Sequence, residues 1–249
     1  MPSSALRWLE PLSVMFGSRS GGDRVEPPGM RITLLSGTPA EIARPDVRDP
    51  SRGLVVIPDV GGLRPLFDDL VARLAAERGW TVCAFELWPG RESLSLPDRL
   101  AEGGTLDDAR IIGDACAAAD ATGCDPVGVI GFCMGGMYTL KASAAGRFDR
   151  AAAFYGMARV PEQWRSPTQG EPLDAVASPG RCPTLAVVGT ADPWVPPADA
   201  DALEAAGVEV VRYEGADHGF VHDPSRPAHR PDDAADAWRR VLAFLEGSA

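Results

Sequence analysis

Cys133 closes the segment Val127-Gly128-Val129-Ile130-Gly131-Phe132-Cys133-Met134-Gly135-Gly136, an apolar run that ends in Gly-x-Cys-x-Gly-Gly and passes into the helix-forming stretch 137–142. A nucleophile displayed on a tight strand-to-helix turn needs residues without bulk two positions before and two after it. Gly131 and Gly135 meet that need, and Gly136 lets the helix approach the strand. Sulfur at a helix N-terminus is favoured as thiolate by the positive end of the helix dipole. Two further residues follow in the order nucleophile, acid, base. Asp192 lies in Thr190-Ala191-Asp192-Pro193-Trp194, after the apolar run 184–188, and His218 lies in Ala216-Asp217-His218-Gly219-Phe220, after the run 208–213. A loop aspartate alone is most often a turn former, and a cysteine in a glycine-rich turn can be plain core. The three together, each just past a strand, spell nucleophilic acyl transfer: Cys133 attacks a carbonyl, His218 moves the protons, and Asp192 fixes the imidazole tautomer.

The tetrahedral intermediate of such a reaction needs two hydrogen-bond donors for its oxyanion. The Met134 N–H, adjacent to the nucleophile, is one candidate. The loop Pro58-Asp59-Val60-Gly61-Gly62, after the apolar run 54–57, offers the Val60 N–H as the other. A thiolate is also a good leaving group, so an amide intermediate tends to collapse backwards, whereas an ester or lactone with a stabilised enolate goes forward. Activated esters and lactones are therefore expected as substrates ahead of peptides.

The elbow Gly131-Phe132-Cys133-Met134-Gly135-Gly136, the acid loop Gly189-Thr190-Ala191-Asp192-Pro193-Trp194-Val195-Pro196 and the base loop Asp217-His218-Gly219-Phe220 resemble the dienelactone hydrolase family, the cysteine branch of the α/β-hydrolases, from about Gly53 to the C-terminal helix. The resemblance implies hydrolysis of small unsaturated lactones bearing a carboxylate, ring-opened to maleylacetate, without metal or cofactor. Members of the family carry a glutamate after the strand before the oxyanion loop, thought to hold the proton of the resting cysteine. The matching residue here is Asp59, one methylene shorter, read as a thiol-modulating group or as a cap of the following turn. Two family arginines hold the substrate carboxylate. One maps onto Arg91 in Glu86-Leu87-Trp88-Pro89-Gly90-Arg91, and the other onto His222, with Arg226 as a possible substitute. Trp88 is either pocket wall or core. Two alternatives stand beside this reading: a broader carboxylesterase or thioesterase on the same three residues, and a non-catalytic binder of small carboxylates with a redox-sensitive thiol.

The elements that must position these residues follow from hydrophobic pattern. Continuous apolar runs at 54–57, 81–85, 127–130, 151–154, 184–188 and 208–213 fit strands of a parallel sheet buried on both faces. Helical patterns lie between them, at 65–78 behind Pro65 and before Gly79, at 105–121, at 198–206 and at 232–245, where Ala235, Trp238, Val241, Leu242 and Leu245 are expected to face inward. Alternation of this kind predicts a doubly wound α/β fold, a mostly parallel sheet flanked by helices with its loops gathered at the strand C-termini. The Pro-rich connection 156–181 holds Trp164 and a short helical pattern at 173–177, and its length marks it as a lid or pocket wall.

The chain of 249 residues, 45% of them hydrophobic, has material for one sizeable core. Residues 1–28 read as a flexible N-terminal extension and 29–249 as a single domain. The net charge of −11 disfavours nucleic acid as a partner. The five cysteines, Cys83, Cys116, Cys124, Cys133 and Cys182, show neither paired nor metal-ligand spacing, and with a reactive thiol among them they indicate a cytoplasmic protein. No apolar run reaches the roughly 20 residues of a membrane span. A small-molecule substrate and a monomer, or alternatively a homodimer, complete the expectation.

Overall fold

A computed structural model describes residues 29–247 and turns each of the apolar runs into a strand. The strands are β1 (Met30–Thr33), β2 (Pro39–Ala43), β3 (Gly53–Ile57), β4 (Thr81–Phe85), β5 (Val127–Phe132), β6 (Arg150–Phe154), β7 (Thr184–Gly189) and β8 (Glu209–Tyr213). They form one sheet in the order β1-β2-β4-β3-β5-β6-β7-β8. From β4 to β8 every pairing is parallel, while β2 runs antiparallel to both β1 and β4. The helices are α1 (Pro65–Arg78), α2 (Leu96–Ala101), α3 (Asp108–Thr122), α4 (Met134–Ala142), α5 (Pro172–Val176), α6 (Pro197–Ala205) and α7 (Pro231–Glu246). The sequence at 1–28, read above as an extension, lies outside the described residues.

Alternation along β3 shows how the sheet is buried twice over. Leu54 and Val56 point into a cluster with Phe67, Leu70 and Leu74 of α1 and Trp238, Leu242 and Leu245 of α7. Val55 and Ile57 point to the other face, where Ile111, Ala115 and Ala118 of α3 meet Met137 and Tyr138 of α4. Helix α1 begins at Pro65 as expected and stops at Gly79, whose backbone turns left-handed (φ 69°) while its N–H reaches Ala75 O.

Three local expectations change. β2 was not legible because it is short, begins with proline and carries Glu41, yet it buries Ala40 and Ile42 against the sheet. Helix α2 has only six residues, too few for a periodic signal, and is held by the Ser95 side chain accepting from the Asp98 N–H. In α7 the inward alanines are Ala234 and Ala237, with Ala235 half-buried. No helix among the described residues is long and apolar enough to cross a membrane.

Leu54 is fully buried at the centre of this sheet. Leu54→Ala should cost about 2–5 kcal/mol through lost contacts and a residual cavity. Chemical denaturation should show a lower midpoint with an unchanged slope; an unaltered midpoint would mean that the two-faced core is wrongly placed.

Candidate active site

Every residue singled out at the strand ends gathers at the C-terminal edge of the parallel sheet. Cys133 follows β5 with φ 57° and ψ −118°, outside the regions a side chain normally tolerates. The turn exists because its neighbours lack side chains. A Cβ on Gly131 would lie 2.3 Å from Gly135 O, and one on Gly135 would lie 2.2 Å from the carbonyl oxygens of both Ile57 and Pro58. The Cys133 N–H donates to Phe154 O at 3.0 Å and Cys133 O accepts from the Met137 N–H at 2.9 Å, so the strained residue is fixed on both sides.

Asp192 lies on the loop after β7 and His218 on the loop after β8. The Nδ1–H of His218 donates to Asp192 Oδ2 at 2.8 Å, and the other carboxylate oxygen accepts the Trp194 N–H at 2.8 Å. Asp192 is thereby locked, and it leaves His218 with Nε2 as its free nitrogen. That nitrogen is buried and lies outside hydrogen-bonding geometry with any group among the described residues. Cys133 is nevertheless close enough to act on the ring. Burial works against a charged imidazole, but Asp192 and Cys133 outweigh it and push the His218 pKa up to about 10. A thiol, an imidazole and a carboxylate so arranged can run nucleophilic acyl transfer, the proton passing between sulfur and Nε2.

The loop after β3 is pinned at three successive carbonyls. Asp59 O accepts the Gly62 N–H at 2.9 Å, Val60 O accepts the Trp88 indole N–H at 2.9 Å, and Gly61 O accepts from the Arg99 guanidinium. The N–H groups of Val60 and Met134 have no acceptor among the described residues. They are the two donors expected for an oxyanion; Val60 lines the same pocket as Cys133, and Met134 is its chain neighbour.

Four assignments read from the sequence need correction or resolution. Trp88 is core: it is 0% exposed, and its contribution to the site is to hold the Val60 peptide. Arg91 points away from the pocket, with its guanidinium on Glu102 and Thr105 and over the Trp88 ring. His222 is not at the pocket surface. Its side chain is 1% exposed and packs against the rings of Phe132 and Phe67, its Nε2–H donates to Asp59 Oδ2 at 2.8 Å, and its Nδ1 accepts from the Tyr155 hydroxyl. Burial holds this imidazole neutral by lowering its pKa. Asp59 is not turned to the thiol. Its oxygens are taken by a bidentate Arg64 (2.6 and 2.8 Å), by His222 and by the Gly61 N–H. Although burial alone would raise it, these donors keep the Asp59 carboxyl well below the usual carboxylate range.

The pocket above Cys133 has a volume of about 540 Å³. Besides Cys133, His218, Asp59 and Val60, its walls include Arg64, Arg99 and Arg226, and the apolar residues Leu94, Leu96, Leu100, Trp164 and Trp194. None of the apolar five was assigned from the sequence, although Trp164 lies in the long connection read as a pocket wall and Trp194 in the acid loop. The arginines differ in how they are used. Arg64 is spent on Asp59, and Arg99 donates to the carbonyls of Gly61, Glu92 and Leu94. The Arg226 guanidinium packs against Gly219, next to His218, and no carboxylate among the described residues pairs with it.

Comparison with known proteins bears on this arrangement. The model of the dienelactone hydrolase family matches residues 38–248. A Bradyrhizobium protein provisionally named a 2-oxo-3-(5-oxofuran-2-ylidene)propanoate lactonase is 30% identical over 227 residues, 83% of this chain and 88% of that protein. The carboxymethylenebutenolidase of Rhodococcus opacus is 29% identical over 212 residues, 78% of this chain and 80% of its own. A crystal structure from Klebsiella pneumoniae subsp. pneumoniae, provisionally named a dienelactone hydrolase, superposes with a TM-score of 0.77 at 28% identity, covering 88% of this chain and 98% of that one.

Two outcomes check the geometry. The chain has three histidines, so their ring resonances can be followed individually by NMR. The raised His218 pKa means that its ion pair stabilises the fold fully below the ordinary histidine value near 6.5, and that this contribution fades as pH rises toward about 10. Asp192→Asn should lower the His218 midpoint, and an unmoved midpoint would sever the pair. His222→Ala leaves Asp59 short of one donor and the Tyr155 hydroxyl buried without a partner, and should cost roughly 2–4 kcal/mol. A variant of unchanged stability, altered only in KM for carboxylate-bearing substrates, would make His222 a substrate contact instead.

Proposed function

The chain belongs to the dienelactone hydrolase family, and on that premise we propose that it hydrolyses a small activated ester or lactone bearing a carboxylate, with Cys133 as nucleophile, His218 as general base and acid, and Asp192 as the group that orients and charges His218. The observation that carries this reading is the convergence of the three side chains on one pocket, the sulfur at the elbow and the His218–Asp192 bond beneath it. The sulfur attacks the carbonyl carbon after yielding its proton to His218 Nε2. The C=O bond opens to an oxyanion facing the Met134 and Val60 N–H groups. As the carbonyl re-forms, the C–O bond to the alkoxide or enolate breaks and that oxygen takes the proton from His218, leaving a thioester. Water then gives a proton to His218 and attacks the thioester carbon; expulsion of the Cys133 sulfur yields the carboxylic acid and restores the site. In a lactone the leaving oxygen stays tethered to the acyl chain, and a stabilised enolate makes the forward collapse favourable.

The proposed anchor for the substrate carboxylate is Arg226, the alternative the sequence offered to His222. Arg91 is engaged elsewhere and His222 is buried and neutral, whereas Arg226 lines the pocket, which it shares with Asp223, and forms no ion pair among the described residues. The planar guanidinium suits a carboxylate bidentately. The name of the Bradyrhizobium relative denotes a lactone carrying such a carboxylate, which supports this choice. The five cysteines are all free among the described residues, in keeping with a reducing cytoplasm.

Two variants test the reading. Cys133→Ala should lower kcat on a carboxylate-bearing lactone by a factor on the order of 10⁴ or more with the fold retained. Turnover that survives in this variant would eliminate Cys133 as nucleophile. Arg226→Ala should raise KM for carboxylate-bearing esters by about tenfold or more and leave neutral esters unaffected, because a contact made equally in ground and transition states affects KM alone. An equal loss on both substrate types would remove Arg226 from the anchor.

A further inference from the structure

We propose that the pocket takes a two-ended substrate, an ester or lactone whose carboxylate lies at Arg226 and whose other end is an apolar or aromatic arm seated against Trp194, Trp164, Leu100 and Leu96. The inference rests on the hydrolase reading above and extends it to substrate class. The cavity of about 540 Å³ falls among those that enclose drug-sized ligands. It exceeds what one five-membered lactone ring with a carboxylate can fill.

The apolar side of the cavity has a definite course. Trp194 stands 6.2 Å from the His218 ring, and Trp164 stacks on Trp194 at 5.7 Å with the planes 22° apart. The Trp164 indole N–H donates to Leu100 O at 2.7 Å, which joins the tryptophan pair to α2. Leu94, Leu96 and Leu100 continue the lining there, and Leu96 is 53% exposed. An exposed leucine at the end of a buried aromatic track is a cost in water and a gain only when an apolar group covers it. The charged side leaves His218 through Gly219, against which Arg226 packs. The two sides thus meet at the reacting residues.

Contacts within the protein hold this wall in place. A Cβ on Gly103 would lie 2.5 Å from Trp164 Nε1, so glycine there makes the seat for the indole. Gln169 Nε2 donates to Gly103 O at 2.8 Å and the Gly170 N–H donates to Asp108 Oδ2 at 2.8 Å, tying the long connection to the segment around α2. The buried Lys141 holds Asp108 through its other oxygen at 2.7 Å. A preformed apolar wall costs little ordering on binding, so an arm that reaches it gains most of its transfer free energy.

The test reads pocket occupancy without turnover: protection of Cys133 from iodoacetamide, followed by peptide mass spectrometry. The protectants are acetate, 3-phenylpropanoate and 3-phenylpropan-1-ol. With both ends in use, 3-phenylpropanoate should half-protect at a concentration at least tenfold below either of the other two. Leu96→Asp, a change at an exposed position, and Trp194→Ala, which keeps the backbone N–H on Asp192, should each reduce that advantage several-fold. Equal protection by acetate and 3-phenylpropanoate, or an advantage untouched in both variants, would overturn the two-ended pocket. Selective protection in a protein that hydrolyses no ester would sink the hydrolase reading alone, and hydrolysis without selectivity would sink this inference alone.

Discussion

The structure turns on one steric constraint, the crossing of strand β5 into helix α4 at Cys133. Strand, helix and the end of β3 come so close that a single methyl group on Gly131 or Gly135 would overlap a carbonyl oxygen. A side-chain-bearing residue at positive φ is costly, and it persists only where its surroundings determine it. Here the surroundings are the hydrogen bonds to Phe154 and Met137 and the packing of two cores. What the strain achieves is exposure: the sulfur stands clear of the sheet at the start of a helix, next to an N–H with no acceptor, and within the field of His218.

The site is rigid because its polar groups are used up in holding it. Half-buried Arg64 and buried Asp59, His222 and Tyr155 form an unbroken chain from the loop after β3, through the loop after β8, to the end of β6. His222 lies four residues after His218, so the clamp fixes the loop that carries the proposed base. Tyr155, itself at positive φ, packs edge-on against His218 with ring centroids 5.2 Å apart. His222 therefore serves the scaffold here. Fully satisfied buried networks of this kind specify a single arrangement, and partial loss leaves costly orphans.

Much of this was legible in the sequence, for physical reasons. A β-branched run before Gly-x-Cys-x-Gly-Gly leaves few conformations open, and doubly buried strands read as continuous apolar runs, so the sheet from Gly53 onward and the grouping of Cys133, Asp192 and His218 at its edge followed. Pro65 and Gly79 marked both ends of α1. What could not be read depends on tertiary direction. Nothing local distinguishes Arg91, drawn off by Glu102, from Arg226, left unpaired, and nothing local shows that Asp59 would meet Arg64 and His222. The apolar wall escaped notice because its residues come from three separate segments. Trp164 meets Trp194 by ring stacking and α2 through a hydrogen bond to the Leu100 carbonyl, contacts between distant segments that carry no local signature.

The central claim is that the acyl group passes through the Cys133 sulfur. The most direct measurement is rapid acid quenching of the wild-type protein during hydrolysis of an activated ester, followed by intact and peptide mass spectrometry. The account predicts a mass gain of one acyl group on the peptide containing Cys133, formed faster than steady-state turnover and lost once substrate is exhausted. Acylation of Cys83, Cys116, Cys124 or Cys182 in its place, or turnover that persists after Cys133 has been fully alkylated, would contradict it.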